Sequence, residues 1–204
     1  MPSKIDVSQL DAMTPDRAGF RAWLEANHST ERECWLIVDK YGRRPDLIPY
    51  LDAVEEAICF GWIDSTLKHG PGGECYQRFS PRRGPNWTEL NKERARRLER
   101  LGLMTDAGRA VLPDMSPESF RIEPDVLEAL KADPAAWENF QRLPELYVRV
   151  RVGNIQYPTL TRGERERNLR AFVKSTREGR LVGNWNDGGR LLRGRPAPPR
   201  RPRL

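Results

Sequence analysis

The stretch from Pro49 to Ser80 constrains the fold most, because three unlike pieces of backbone follow one another there without linkers. Pro49 to Phe60 carries apolar residues at helical spacing and stops at Gly61, a residue suited to the left-handed turn that ends a helix. Trp62 to Leu67 and Glu74 to Ser80 read as two strands around His69-Gly70-Pro71-Gly72-Gly73, a hairpin signal with a generous loop. A helix running straight into such a hairpin predicts an α+β protein, with a small, largely antiparallel sheet packed by helices and a mainly helical C-terminal module after it. Pairing symmetric about Pro71 sets Asp64 opposite Arg78, Thr66 opposite Tyr76 and Trp62 opposite Ser80.

The flanks supply the rest of the first region. Thr14-Pro15-Asp16 opens a helix to residue 27 with Phe20, Trp23 and Leu24 inward, and Glu33 to Lys40 is a short β-rich run that fits a central strand. Asn86 as N-cap, Glu89 in capping-box position and Gly102 as terminator bound another helix. Its apolar stripe of Trp87, Leu90, Leu98 and Leu101 also contains Asn91 and Arg94, polar groups that need partners if buried. A short helix starts at Thr105. The predicted organisation is an α+β region over 1–112, a Pro-rich connector over 113–123, a helical module over 124–192 and a disordered basic tail over 193–204. Helices are expected from Pro124, Pro134 and Glu164. Tyr147 to Val152 alternates like a strand, yet Leu146/Val150 and Val148/Val152/Ile155 also fit a helix; periodicity alone does not decide, and helix is the preferred reading.

Charge narrows the function classes. The net charge is +6, but five arginines sit in 193–204 where there are no acids, so residues 1–192 carry only about +1. Basicity belongs to the tail, which could meet nucleic acid or anionic lipid only weakly and in a salt-dependent way. With no apolar run long enough to span a bilayer and no signal-like N-terminus, the expectation is a cytoplasmic protein without a transmembrane segment. Cys34, Cys59 and Cys75 are odd in number and widely spaced, which fits reduced thiols better than a disulfide framework. Together with His28 and His69 they are zinc-ligand types without zinc-ligand spacing, so no metal or other cofactor is expected.

Val54-Glu55-Glu56-Ala57-Ile58-Cys59-Phe60-Gly61-Trp62-Ile63-Asp64-Ser65, then Tyr76-Gln77-Arg78-Phe79-Ser80-Pro81-Arg82 and Trp87 to Asn91, resemble the YdeI/OmpD-associated family, also called bacteriocin-protection proteins. The helices after Pro124 resemble the family's C-terminal OmdA module, so the resemblance covers roughly residues 10–192. It implies a bacterial cytoplasmic α+β protein linked to envelope stress or to bacteriocin and peptide resistance, and it implies no established reaction.

Ten residues form the candidate binding site: Glu55, Glu56 and Cys59 from the acidic helix face, Trp62, Asp64, Arg78 and Arg82 from the hairpin, and Trp87, Asn91 and Arg94 from the following helix. Two arginines can fork onto a carboxylate or phosphate while Trp62 and Trp87 stack a planar group, the layout of a pocket for a small anionic or aromatic ligand. The competing reading makes the same charges ion pairs between helix and sheet, Asp64 with Arg78 and Glu55 or Glu56 with Arg82 or Arg94, and makes the tryptophans core. An enzyme is the less favoured alternative, with Asp64 or Glu56 as base and Cys59 or Asn91 holding substrate, since acidic neighbours raise rather than lower a thiol pKa. A further alternative is a protein-interaction module meeting an envelope- or stress-related partner through the C-terminal helices.

Overall fold

A computed structural model describes residues 7–193 of the chain, so the basic tail expected over 193–204 lies almost wholly outside the described residues. The fold is α+β, as the helix-then-hairpin pattern requires. Four strands form one mixed sheet in the order β1 (Ala12–Met13), β2 (Cys34–Val38), β4 (Cys75–Pro81), β3 (Trp62–His69). β2 pairs antiparallel with β4, and β4 with β3, while the two-residue β1 lies parallel to β2. The chain divides into two compact units, one of residues 1–85 and 94–113, the other of 86–93 and 114–204. Thus 86–93, read from the sequence as part of the first region, belongs by its contacts to the second unit.

In the first unit, α1 (Arg17–Asn27) and α2 (Tyr50–Cys59) pack on one face of the sheet. Phe20 and Leu24 of α1 are fully buried, and Phe20 meets Phe79 of β4 at 5.5 Å between ring centroids. α1 starts later than Pro15 suggests: Asp16 is the N-cap, its Oδ1 accepting from the Gly19 N–H at 2.7 Å. Trp62 Nε1 donates to the His28 carbonyl at 3.1 Å, and its ring meets Trp23 edge-on. Burying such an indole favours folding only because its single donor is satisfied.

The hairpin register differs from the symmetric pairing. Asp64 stands opposite Phe79 and Trp62 opposite Pro81, whereas Leu67 stands opposite Gln77 and His69 opposite Cys75. Beside the turn the pairing is centred on Gly72 rather than Pro71, two residues out of the symmetric register, and beyond it a β-bulge shifts the register by one, with Ser65 and Thr66 together opposing Arg78. Side chains alternate along a strand, so a one-residue slip moves Asp64 and Arg78 onto opposite faces.

α3 (Glu89–Arg100) begins at Thr88, not Asn86, with Thr88 Oγ1 accepting from the Asn91 N–H at 3.2 Å. It ends as predicted at Gly102, where Gly102 N–H donates to Glu99 and Leu103 N–H to Leu98, the paired bonds of a Schellman motif. α4 (Asp106–Ala110) follows, capped by Thr105, whose hydroxyl also donates to the Cys59 carbonyl at 2.6 Å.

The second unit is built from α5 (Pro124–Lys131), α6 (Pro134–Phe140), α7 (Glu145–Ile155) and α8 (Arg162–Arg177). The ambiguous 147–152 segment is helical. α7 buries Tyr147, Val148, Val152 and Ile155 in one cluster with Phe140 and Phe172, and Leu146 and Val150 in another with Leu191. A helix covered on both sides carries two apolar faces, here Leu146/Val150 and Val148/Val152/Ile155, each at helical spacing, so it shows no single amphipathic stripe. Arg149 of α7 reaches Glu89 at 3.4 Å and the fully buried Glu93 at 3.3 Å. Gly153 gives the same segment its close approach, since a Cβ there would lie 2.9 Å from Glu89 Cγ. Among the described residues no helix is long and apolar enough to cross a membrane.

Gly108 of α4 sets the tightest backbone approach in the first unit, because an added Cβ would stand 2.2 Å from the Cys59 carbonyl oxygen. Gly108→Ala is expected to cost about 1–3 kcal/mol through overpacking, read as a lowered urea midpoint at unchanged slope.

Candidate functional site

The ten expected site residues fall into separate groups. Glu55 and Glu56 of α2 are buried, at 1% and 2% exposure, and their partners come from α1 and α3. Arg17 Nε donates to Glu56 at 2.6 Å, Nη1 to Asp52 at 3.0 Å and Nη2 to Glu55 at 3.2 Å. Arg21 Nη1 holds the other Glu56 oxygen at 2.9 Å, and Arg97 Nη1 the other Glu55 oxygen at 2.7 Å. Three guanidinium groups therefore face three carboxylates, and every oxygen of both glutamates carries a charge-assisted bond. Neither Arg17 nor Arg21 was foreseen as a partner. Their i,i+4 spacing on a helix that also presents Phe20 and Leu24 inward was the available signal.

Cys59 ends the same helix and is fully buried, as Cys34 and Cys75 are nearly so, and all three thiols are free. Burial pushes the Cys59 thiol up to about 12, Glu56 adds to the rise, and Arg21 and Arg17 offset it only in part. A neutral, inaccessible thiol is no nucleophile at physiological pH. The catalytic alternative thus loses both Cys59 and Glu56, whose two oxygens are committed to arginines.

Arg78 lies on the opposite face of the sheet, paired with Trp35 across β2. It holds Glu33, with Nε at 2.9 Å from Oε2, and donates to Ser65 Oγ at 3.3 Å. Trp35 Nε1 donates to the remaining Glu33 oxygen at 3.2 Å. The expected Asp64–Arg78 pair is absent because the bulge separates their faces. Arg82 is half-buried and donates its backbone N–H to the Gly61 carbonyl at 2.9 Å. Trp62 is core at 1% exposure and so walls no open pocket. Trp87 and Asn91 are buried in the second unit.

Asp64 and Arg94 join a different cluster within the first unit. Tyr50, the first residue of α2, donates its hydroxyl to Asp64 Oδ2 at 2.6 Å. Lys40, just beyond β2, sets its ammonium 3.0 Å from the centroid of the Tyr50 ring. Burial pulls the Lys40 ammonium below its ordinary range, Asp64 and Cys75 pull the other way, and Arg94 lowers it further. Gln77 is 1% exposed on the sheet face that Asp64 shares; its Nε2 donates to the Thr66 carbonyl at 3.2 Å, while Oε1 is buried with no hydrogen-bond partner among the described residues. An orphaned buried acceptor costs roughly 1–3 kcal/mol, so a donor that reaches it would be strongly favoured. Lys40 and Tyr50 were not read as site residues, and Gln77 entered only through the family motif. A lysine at the end of an apolar strand was the one local hint.

Residues 12–111 match a family model described as Domain of unknown function (DUF8412), a span from β1 through α4. No curated protein and no solved structure matches the chain. Among the described residues no group of three or more His, Cys, Asp or Glu side chains could hold a metal ion.

The raised thiols have a consequence for stability. Cys34, like Cys59, is pushed to about 12, chiefly by burial, against 9.0 for an unperturbed thiol. The native state keeps these protons where the unfolded chain releases them, so their contribution is full below pH 9 and is lost as pH rises towards 12. Urea unfolding across that window is expected to show falling stability, with a shallower slope in Cys59→Ala, and dithionitrobenzoate at pH 8 is expected to label the thiols only after unfolding.

Proposed function

We propose that the protein binds a small ligand without turning it over, and that the binding groups are Lys40, Tyr50, Asp64 and Gln77. The buried, partnerless Oε1 of Gln77 carries this reading, because it stands on the sheet face of an Asp64–Tyr50 hydrogen bond with a partly desolvated ammonium at the same cluster. The groups call for a ligand with an N–H or O–H donor for Gln77 and an anionic or aromatic portion beside Lys40. Arg78 and Arg82, the anchors suggested by the sequence, have no part in it. Binding of this kind fits the envelope-stress or bacteriocin-resistance setting that the family resemblance implies, in the cytoplasm, and it requires no cofactor.

A thermal-shift screen of small carboxylic acids, aromatic metabolites and cell-wall fragments tests the proposal. A hit is expected to stabilise the wild type and Arg78→Ala alike, and to leave Asp64→Asn unshifted although that variant folds to within about 1 kcal/mol of wild type. Loss of the shift in Arg78→Ala, with Asp64→Asn responding normally, would place the ligand elsewhere.

A further inference from the structure

α8 distributes its charge unevenly. Its first half alternates arginine with Glu164 and Glu166, whereas Leu169 to Arg177 contains Arg170, Lys174 and Arg177 and no acid. A groove of about 360 Å³ runs along this second half, with Ala129 of α5 and Leu169 and Val173 of α8 as apolar lining and the three cations at its sides. Arg170 and Arg177 remain well exposed, at 73% and 67%; each has one long ion pair, Arg170 with Glu166 at 3.9 Å and Arg177 with Asp133 at 3.7 Å, and Glu178 lies within electrostatic reach of Lys174 and Arg177. Among the described residues Asp133 is the one acid that lines the groove.

Part of this pattern follows from the helix itself, since cations are favoured near a helix C-terminus. That effect accounts for neither the half-buried apolar floor that lies open between the cations nor the spread of charge. Arg177 lies seven positions beyond Arg170, about 10 Å along the axis, more than one carboxylate can bridge. The volume lies near the low end of the ~300–1,000 Å³ usual for small-molecule sites. It suits one or two apolar side chains of a longer ligand that carries several anionic groups along its length.

We propose that this groove docks an acidic amphipathic helix of a partner protein, its apolar residues resting on Leu169, Val173 and Ala129 and its carboxylates meeting Arg170, Lys174 and Arg177. The chain's own C-terminal segment does not fit, because residues 193–204 hold five arginines and no acid.

Fluorescence anisotropy on the full chain, with a labelled amphipathic helix of glutamate and leucine as probe, tests the assignment. Binding is expected for this peptide and not for its lysine-and-leucine counterpart. The double reversal Arg170→Glu/Lys174→Glu, at exposed positions, is expected to weaken it by roughly tenfold or more. Ala129→Arg is the second variant: it adds a positive charge yet obstructs the floor, so true groove binding falls while mere attraction to positive charge holds or grows. Peptide affinity unchanged by the double reversal, which keeps the basic tail, or unimpaired by Ala129→Arg, would overturn the proposal.

Discussion

Two adjacent glutamates buried on one helix are the constraint from which the first unit follows. Desolvating Glu55 and Glu56 is costly unless each charge is matched, and a buried pair broken on one side loses roughly 3–5 kcal/mol. Arg17 forks over Asp52, Glu55 and Glu56, with Arg21 and Arg97 completing the set, so α1, α2 and the second half of α3 are held in one arrangement. Arg21 also stacks its guanidinium over Phe60 at 5.2 Å and donates to the Leu103 carbonyl. The same network lies against Cys59 and takes up both oxygens of Glu56, one of the two candidate bases. What looks in sequence like a reactive face is thereby a structural one, its acids matched by arginines of α1 and α3.

Helix and strand identities were legible because local chemistry sets them. Gly61 and Gly102 adopt left-handed backbone at φ of +75° and +68° and end α2 and α3 where their positions suggested. Thr161 and Glu164 form a capping box at the start of α8. What the sequence concealed is long-range. Arg17 lies 39 residues from Glu56, and no periodicity joins them. The hairpin was visible but not its register, since nothing in Asp64-Ser65-Thr66-Leu67 announces that two residues will oppose one. That bulge puts Asp64 and Arg78 on opposite faces of the sheet, and the burial of Trp62 and the arginine partners of Glu55 and Glu56 take apart the rest of the expected site. Thr88 rather than Asn86 is the N-cap of α3; both residue types can cap, and the local sequence does not choose between them.

The two units answer different questions. The first concentrates buried polar groups, of which one acceptor has no protein partner. The second also buries charge, with Arg149 of α7 reaching Glu89 and the fully buried Glu93, and it packs apolar residues around α7, where Tyr147 is fully buried with its hydroxyl accepting from the Val182 N–H at 3.2 Å. A small ligand in the first and a helical partner on the second would engage different residues, and each can be removed without touching the other.

The central claim is that the glutamate–arginine network is the pin of the first unit, and a double-mutant cycle between Arg17→Met and Glu56→Gln measures it. Glu56 is buried and Arg17 is 37% exposed, so solvent screens part of the pair and the coupling is expected at about 1 kcal/mol or more, between surface and interior values. Strictly additive urea-unfolding energies for the two substitutions, or a Glu56→Gln protein as stable as wild type, would contradict the account.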